Sequence, residues 1–146
     1  MVPLRTGMTA AILLTAQAGM ASVTVHAERE LHTVECVAAL EVRSDELAKQ
    51  VKAGRTELRV PLLATLDAGA AFIGSAYLQG DRDEARWQSR LRVAHDAQKG
   101  LADAVLAARQ ASCAEEGRRL LSEANFVGRA VVSRLVERRM QKVLGD

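Results

Sequence analysis

The chain has 146 residues, enough for one domain with a buried core. Its 20 basic residues nearly match its 18 acidic ones, and this balance excludes a general electrostatic attraction to nucleic acid or anionic lipid. Apolar residues make up 49% of the chain and aromatic residues only 3%. The richness in alanine, leucine and arginine, which are all good helix formers, predicts an all-α protein.

The first 27 residues have the layout of a cleavable secretory signal. A basic start at Arg5 is followed by the apolar run MTAAILLTAQAGMAS and by small residues before the charged ERE. The sequence VHA predicts cleavage after Ala27, and AQA offers an earlier cut after Ala18. The apolar run is short and alanine-rich, whereas a bilayer span takes about 20 strongly apolar residues. We therefore predict export to the periplasm or the medium, which leaves 28–146 as a single helical-bundle domain.

Helical spacing of apolar residues predicts about four helices in this mature domain. They cover about 31–52, 60–78, 82–98 and 101–143, and Gly117 is where a kink in the long last helix would fall. The segment 62–78 is apolar but contains Asp67, which is typical of a packed core helix and not of a transmembrane span. Periodicity alone leaves open whether the third helix ends at Gly100 or continues past it.

The chain contains two cysteines, Cys36 and Cys113, and export would place them in an oxidising compartment. We therefore predict that they form a disulfide. In an up-down-up-down bundle this pairing requires a chain reversal at Gly100, because otherwise Cys113 would lie roughly 30 Å from Cys36 at ~1.5 Å per residue.

Candidate chemistry is sparse in this sequence. His32 and Cys36 are four residues apart, a spacing that suits a metal ion, with Glu35 near and Cys113 able to complete the set. Oxidation of the thiols would destroy that site, so we expect no metal or other cofactor and keep His32 as a remote candidate ligand. A haem held by His32 and Met140, expected at the same end of the bundle, is a further alternative. The motifs G-x-S-x-G, H-E-x-x-H and C-x-x-C and a glycine-rich phosphate loop are absent, so we predict no enzyme activity.

The basic residues are concentrated near the carboxyl terminus. Residues 118–146 hold seven bases and three acids, and Arg134, Arg138 and Lys142 follow one another at i, i+4 spacing. The pattern is most typical of a solvated helix face near the negative end of the helix dipole, and the alternative is a contact surface. The sequence thus predicts an exported, non-catalytic interaction or structural protein of the cell envelope, with an acidic protein or an anionic envelope component as its partner. The alternative is a metal- or haem-binding helical bundle.

Overall fold

The computed structural model of the protein describes residues 16–145, with side chains from residue 23 onward. These residues form five α-helices and no strand, which confirms the all-α prediction. The helices are α1 (Ala16–Lys52), α2 (Arg59–Leu78), α3 (Glu84–Lys99), α4 (Asp103–Glu123) and α5 (Phe126–Leu144), and a short 3-10 helix (Thr56–Leu58) precedes α2.

Helix α1 begins well before the predicted start at residue 31. Part of the predicted signal segment, residues 1–15, lies outside the described residues, and residues 16–27 are helical and continuous with α1. The side chains of residues 23–29 are exposed, and the first buried side chain among the described residues is that of Val34. From residue 23 onward, packing into the bundle therefore begins after the predicted cleavage site.

Contacts between side chains define the directions of the helices. His32 contacts Glu116 and Cys36 is bonded to Cys113, so α1 and α4 are antiparallel. Helix α5 is antiparallel to α2, since a Cβ on Gly74 would lie 3.4 Å from Val132 and a Cβ on Gly128 would lie 3.6 Å from Leu78.

Helix α2 lies in the middle of the molecule, in contact with α1, α4 and α5. By length and composition alone, Thr56–Leu78 could also cross a membrane, and 39% of its most apolar window is buried within the bundle. Its side chains contribute to two apolar clusters, one beside the middle of α1 and one beside its last turns. The cluster beside the middle includes Val37, Leu40, Phe72 and Leu91, and the cluster beside the last turns includes Leu47, Leu62, Leu66, Val132 and Val136.

The chain does reverse at Gly100, which forms the C-cap of α3. Gln98, in the last turn of α3, is 1% exposed and accepts a hydrogen bond of 3.2 Å from the Arg109 guanidinium of α4. The turn is thereby linked to the following helix by a partly buried polar contact. The reversal that the cysteine pairing requires is confirmed.

The prediction of one long last helix over 101–143 is wrong, because the chain breaks at Ala124 and Asn125. Ala124 is extended (ψ 137°), and the Asn125 side chain accepts a 2.9 Å hydrogen bond from the Gly128 N–H. This is the geometry of a helix N-cap, which supplies an acceptor for an otherwise unpaired N–H group. Apolar residues keep helical spacing on both sides of the break, so periodicity alone does not reveal it.

Gly117 lies within α4, where this helix meets α2. A Cβ at this position would lie 2.6 Å from the carbonyl oxygen and 2.8 Å from the Cα of Ala68. Glycine is required because the two backbones are too close for any side chain.

Candidate functional site

Cys36 and Cys113 form a disulfide that joins the middle of α1 to the middle of α4. Their Cα atoms are 5.3 Å apart, and the two residues are 1% and 3% exposed. The bond is therefore an internal link of the bundle, at the edge of the apolar cluster that contains Phe72.

A histidine and a carboxylate lie directly beside this disulfide. The His32 Nε2 atom is 2.8 Å from the Glu116 Oε2 atom and 3.8 Å from the Cys36 Sγ atom. Glu116, and not the predicted Glu35, completes a group whose potential ligand atoms all lie within 4.8 Å of one another. The signal for Glu116 was present in the sequence, since a residue three positions after Cys113 lies on the same helix face.

A cavity of about 520 Å³ opens beside the His32–Glu116 pair. Phe72 and Trp87 contribute to its walls, and the edge of the His32 ring faces Phe72 with ring centroids 6.3 Å apart. Solvent reaches the pair, since the side chains of His32 and Glu116 are 52% and 31% exposed.

The carboxylate of Glu30 links α1 to α3 at the margin of this cavity. It pairs with both Arg86 and Arg90, and the hydrogen bond from Arg86 holds the pKa of Glu30 below its ordinary value. The arrangement fixes the start of α3 against the half of α1 that carries His32.

The three predicted contact residues Arg134, Arg138 and Lys142 are all exposed on α5. They do not line one site: Arg138 and Lys142 border a small groove between α5, α1 and α2, whereas Arg134 lines none of the grooves described here. Their neighbour Arg139 is instead drawn inward, 3.3 Å from Asp45 and 3.6 Å from Glu41.

The largest groove, of about 1010 Å³, lies between α1, the α3–α4 turn and α5. All four lysines of the chain line it, although they come from three different helices. Two arginines and three carboxylates also line this groove. We call this surface the lysine groove; its charged residues are Arg43, Lys49, Lys52, Lys99, Arg139 and Lys142 with Asp45, Glu46 and Asp103.

The lysines meet because the last turns of α1, α3 and α5 lie at the same end of the bundle. Cations are favourable in the last turn, where the helix dipole is negative. Within residues 23–145 no lysine side chain forms an ion pair or a hydrogen bond, and the carboxylates of the groove do not neutralise them.

Burial raises the pKa of Glu41, and the charge of Arg139 only partly opposes this effect. The Nε atom of Arg139 is buried without a hydrogen-bond partner. Among the described residues, this guanidinium is thus the deepest cation of the lysine groove, with part of its hydrogen-bonding capacity unused.

The predicted haem ligands His32 and Met140 do not come together. Met140 packs on the cluster that contains Leu47 and Val51, at the opposite end of the bundle from His32. The distance from His32 to Leu47 along α1 is about 22 Å at 1.5 Å per residue. The pairing fails because the break at Asn125 reverses α5 and carries Met140 away from His32.

The fold and the two sites define the class of this protein by structure alone. It is an all-α bundle closed by one internal disulfide, with a basic groove at one end. Comparison with protein-family models, curated proteins and solved structures gives no match.

Proposed function

We propose that the protein is an exported, non-catalytic binding protein of the cell envelope that holds an acidic polypeptide segment in the lysine groove. The observation that carries the proposal is the convergence of all four lysines on one groove. Sixteen arginines are spread over the chain, and the groove takes only two of them.

The charge of the groove favours an anionic partner. Its six lysines and arginines face three carboxylates, an excess of three positive charges with His95 neutral. A lysine ammonium is a compact charge on a flexible stem, so it can follow carboxylates whose positions vary along a polypeptide. Complementary charge of this kind accelerates association and confers specificity.

The shape and composition of the groove favour a polypeptide over the other anionic ligands. The groove is recessed between helices and includes apolar side chains of Val42, Leu106 and Val143, which suit the mixed side chains of a peptide. Its lining contains no Phe, Tyr or Trp side chain, which are the larger rings on which nucleobases stack. A lipid surface would contact a protruding face more readily than a recess.

Export is supported by two properties of the chain. The disulfide is a kind of bond that persists in oxidising compartments. The side chains of residues 23–27, which cleavage after Ala27 would remove, are exposed. The mature domain would then keep the whole packed bundle and the lysine groove.

The test compares two double variants that change net charge equally. Lys49→Glu/Lys99→Glu alters the groove, whereas Arg134→Glu/Arg138→Glu alters the predicted stripe and leaves the groove intact. The probe is a fluorescein-labelled acidic peptide of about 12 residues, and its affinity is measured by fluorescence anisotropy at several salt concentrations.

We expect the groove variant to weaken peptide binding by about tenfold or more, and the stripe variant by less than about twofold. Affinity of the wild-type protein should fall as salt rises. Equal losses in the two variants would mean that binding follows net charge and not the groove, and a larger loss in the stripe variant would move the contact to the stripe. Tighter binding of phosphatidylglycerol vesicles or of a single-stranded oligonucleotide than of the peptide would replace the polypeptide by that ligand.

A further inference from the structure

We propose that reduction of the Cys36–Cys113 disulfide converts the adjacent group of side chains into a binding site for a zinc ion. The four ligands would be His32, Cys36, Cys113 and Glu116. This site is at the opposite end of the bundle from the lysine groove and is independent of the binding function proposed there.

The four donors are already together on two antiparallel helices. Cys36 follows His32 by four residues on α1, and Glu116 follows Cys113 by three residues on α4. Each pair therefore presents its side chains from one helix face towards the other pair. The Cys113 sulfur is bonded to that of Cys36, next to the group of His32, Cys36 and Glu116 whose ligand atoms lie within 4.8 Å of one another. It lies outside that group and must turn towards it once the disulfide is reduced.

Two of the donor distances are near those around a tetrahedral ion, and the two sulfurs must move apart when the disulfide is reduced. Zinc binds nitrogen and oxygen at about 2.0–2.2 Å and sulfur at about 2.3 Å, so neighbouring ligand atoms lie about 3.3–3.8 Å apart. The His32 Nε2 to Cys36 Sγ distance is 3.8 Å. The His32 Nε2 to Glu116 Oε2 distance is 2.8 Å and must open by about 0.5 Å as the ion replaces the hydrogen bond.

The oxidation state of the sulfurs decides whether the site exists. In the disulfide neither sulfur is an anionic donor, and His32 and Glu116 are left as two ligands that bond to each other. A dithiol reductant transfers two electrons and two protons to the disulfide, which gives two thiols and leaves the reductant as its own disulfide. Zinc then displaces one proton from each thiol and binds neutral His32 and the Glu116 carboxylate.

The cavity gives an ion access to the site, and the histidine and carboxylate ligands are more exposed than the two sulfur ligands. The cavity of about 520 Å³ leads to His32 and Glu116, which are partly exposed, while both cysteines are buried behind them. Phe72 and Trp87 form apolar walls next to the ligands and limit competition by water. An ion entering from the cavity would meet the carboxylate and the imidazole first and the thiolates last.

The test uses cobalt(II) as a spectroscopic substitute for zinc. The full chain is reduced with dithiothreitol, freed of reductant under anaerobic conditions and titrated, with the oxidised protein titrated in parallel. We expect one cobalt per reduced chain, a thiolate-to-cobalt charge-transfer band that zinc abolishes, and no such band for the oxidised protein.

Variants identify the two ligands that are not cysteines. His32→Ala and Glu116→Gln should each weaken binding by about tenfold or more, since each removes one of four ligands. Glu115→Gln is the matched control, because Glu115 is exposed and pairs with Arg118 away from the site; binding should not change.

Three results would overturn the proposal: no charge-transfer band after reduction, equal cobalt binding by the oxidised protein, or unchanged binding in both ligand variants. If the reduced protein without metal has lost helical circular dichroism, zinc should restore it in the wild-type protein but not in His32→Ala. Absence of that recovery would count equally against the site.

Discussion

Helices α2 and α4 approach each other closely at Gly117, and substitution of this glycine by alanine tests the account of the packing. The added Cβ would lie 2.6 Å from the Ala68 carbonyl oxygen and 2.7 Å from the Ala68 Cβ. Two of the three nearest atoms belong to the backbone of α2, so no side-chain rotation relieves the overlap.

The expected change in the free energy of unfolding follows from two opposing effects. Ordinary contacts begin at 3.4 Å, so α2 and α4 would have to separate by about 0.8 Å near residue 68. Overpacking of this kind costs about 1–3 kcal/mol, whereas replacing a helical glycine by alanine gains up to about 1 kcal/mol. We therefore expect Gly117→Ala to lower the free energy of unfolding by about 1–2 kcal/mol.

Gly69→Ala provides the matched control. Gly69 is also inside a helix, but the only atom within 4 Å of its added Cβ is the Leu40 Cβ at 3.8 Å. The gain in helix propensity then has no steric cost to oppose it, so this variant should equal or exceed the wild-type protein in stability.

The assay is urea unfolding of the oxidised protein followed by circular dichroism, with a thermal scan as a second measurement. A loss of about 1–2 kcal/mol corresponds to a fall in melting temperature of roughly 3–6 °C for a chain of this size. A Gly117→Ala protein as stable as Gly69→Ala would refute the close approach of α2 and α4.

The remaining predictions concern the disulfide, an ion pair and a helix cap. Cys36→Ser/Cys113→Ser should lower the free energy of unfolding by up to about 4–5 kcal/mol in urea titrations, and a loss below about 1 kcal/mol would contradict a stabilising link. Glu30→Gln should lower stability at pH 7 by about 1 kcal/mol or less. Because the pKa of folded Glu30 is below its ordinary 4.5, this contribution is present above pH 4.5 and is lost as the pH falls through the folded pKa, where thermal scans of the two proteins should converge. Asn125→Ala should cost about 1 kcal/mol through the lost N-cap, whereas Asn125→Asp, which keeps the acceptor, should not.

Those parts of the fold that depend on local chemistry or on the cysteines were predictable from the sequence. The prediction of a reversal at Gly100 came from the requirement that Cys36 and Cys113 meet, and a glycine is found at that helix end. The end of α4 was not predictable from periodicity, because apolar spacing continues through Asn125 in the same phase. The available signal was the asparagine itself, a preferred N-cap residue, together with Phe126, which is 86% exposed.

The candidate sites were only partly predictable, because they depend on which helix ends meet. His32 and Cys36 were recognisable from their spacing, but Glu116 became a partner only through the antiparallel pairing of α1 and α4. The lysine groove unites residues as distant as Lys49 and Lys142, and no local pattern connects them. Its formation required the reversal of α5, which the prediction of a continuous last helix had missed.

The position of the disulfide has a consequence for cooperativity. The covalent loop runs from Cys36 to Cys113 with a sequence separation of 77, and all of α5 lies outside it. Helix α5 packs mainly on α2, so its docking depends on Val132, Val136 and their neighbours and not on the covalent link. We expect α5 to behave as a separate opening unit, whose amide hydrogens exchange at a rate that is insensitive to reductant while those of α1 and α4 exchange faster once the disulfide is reduced.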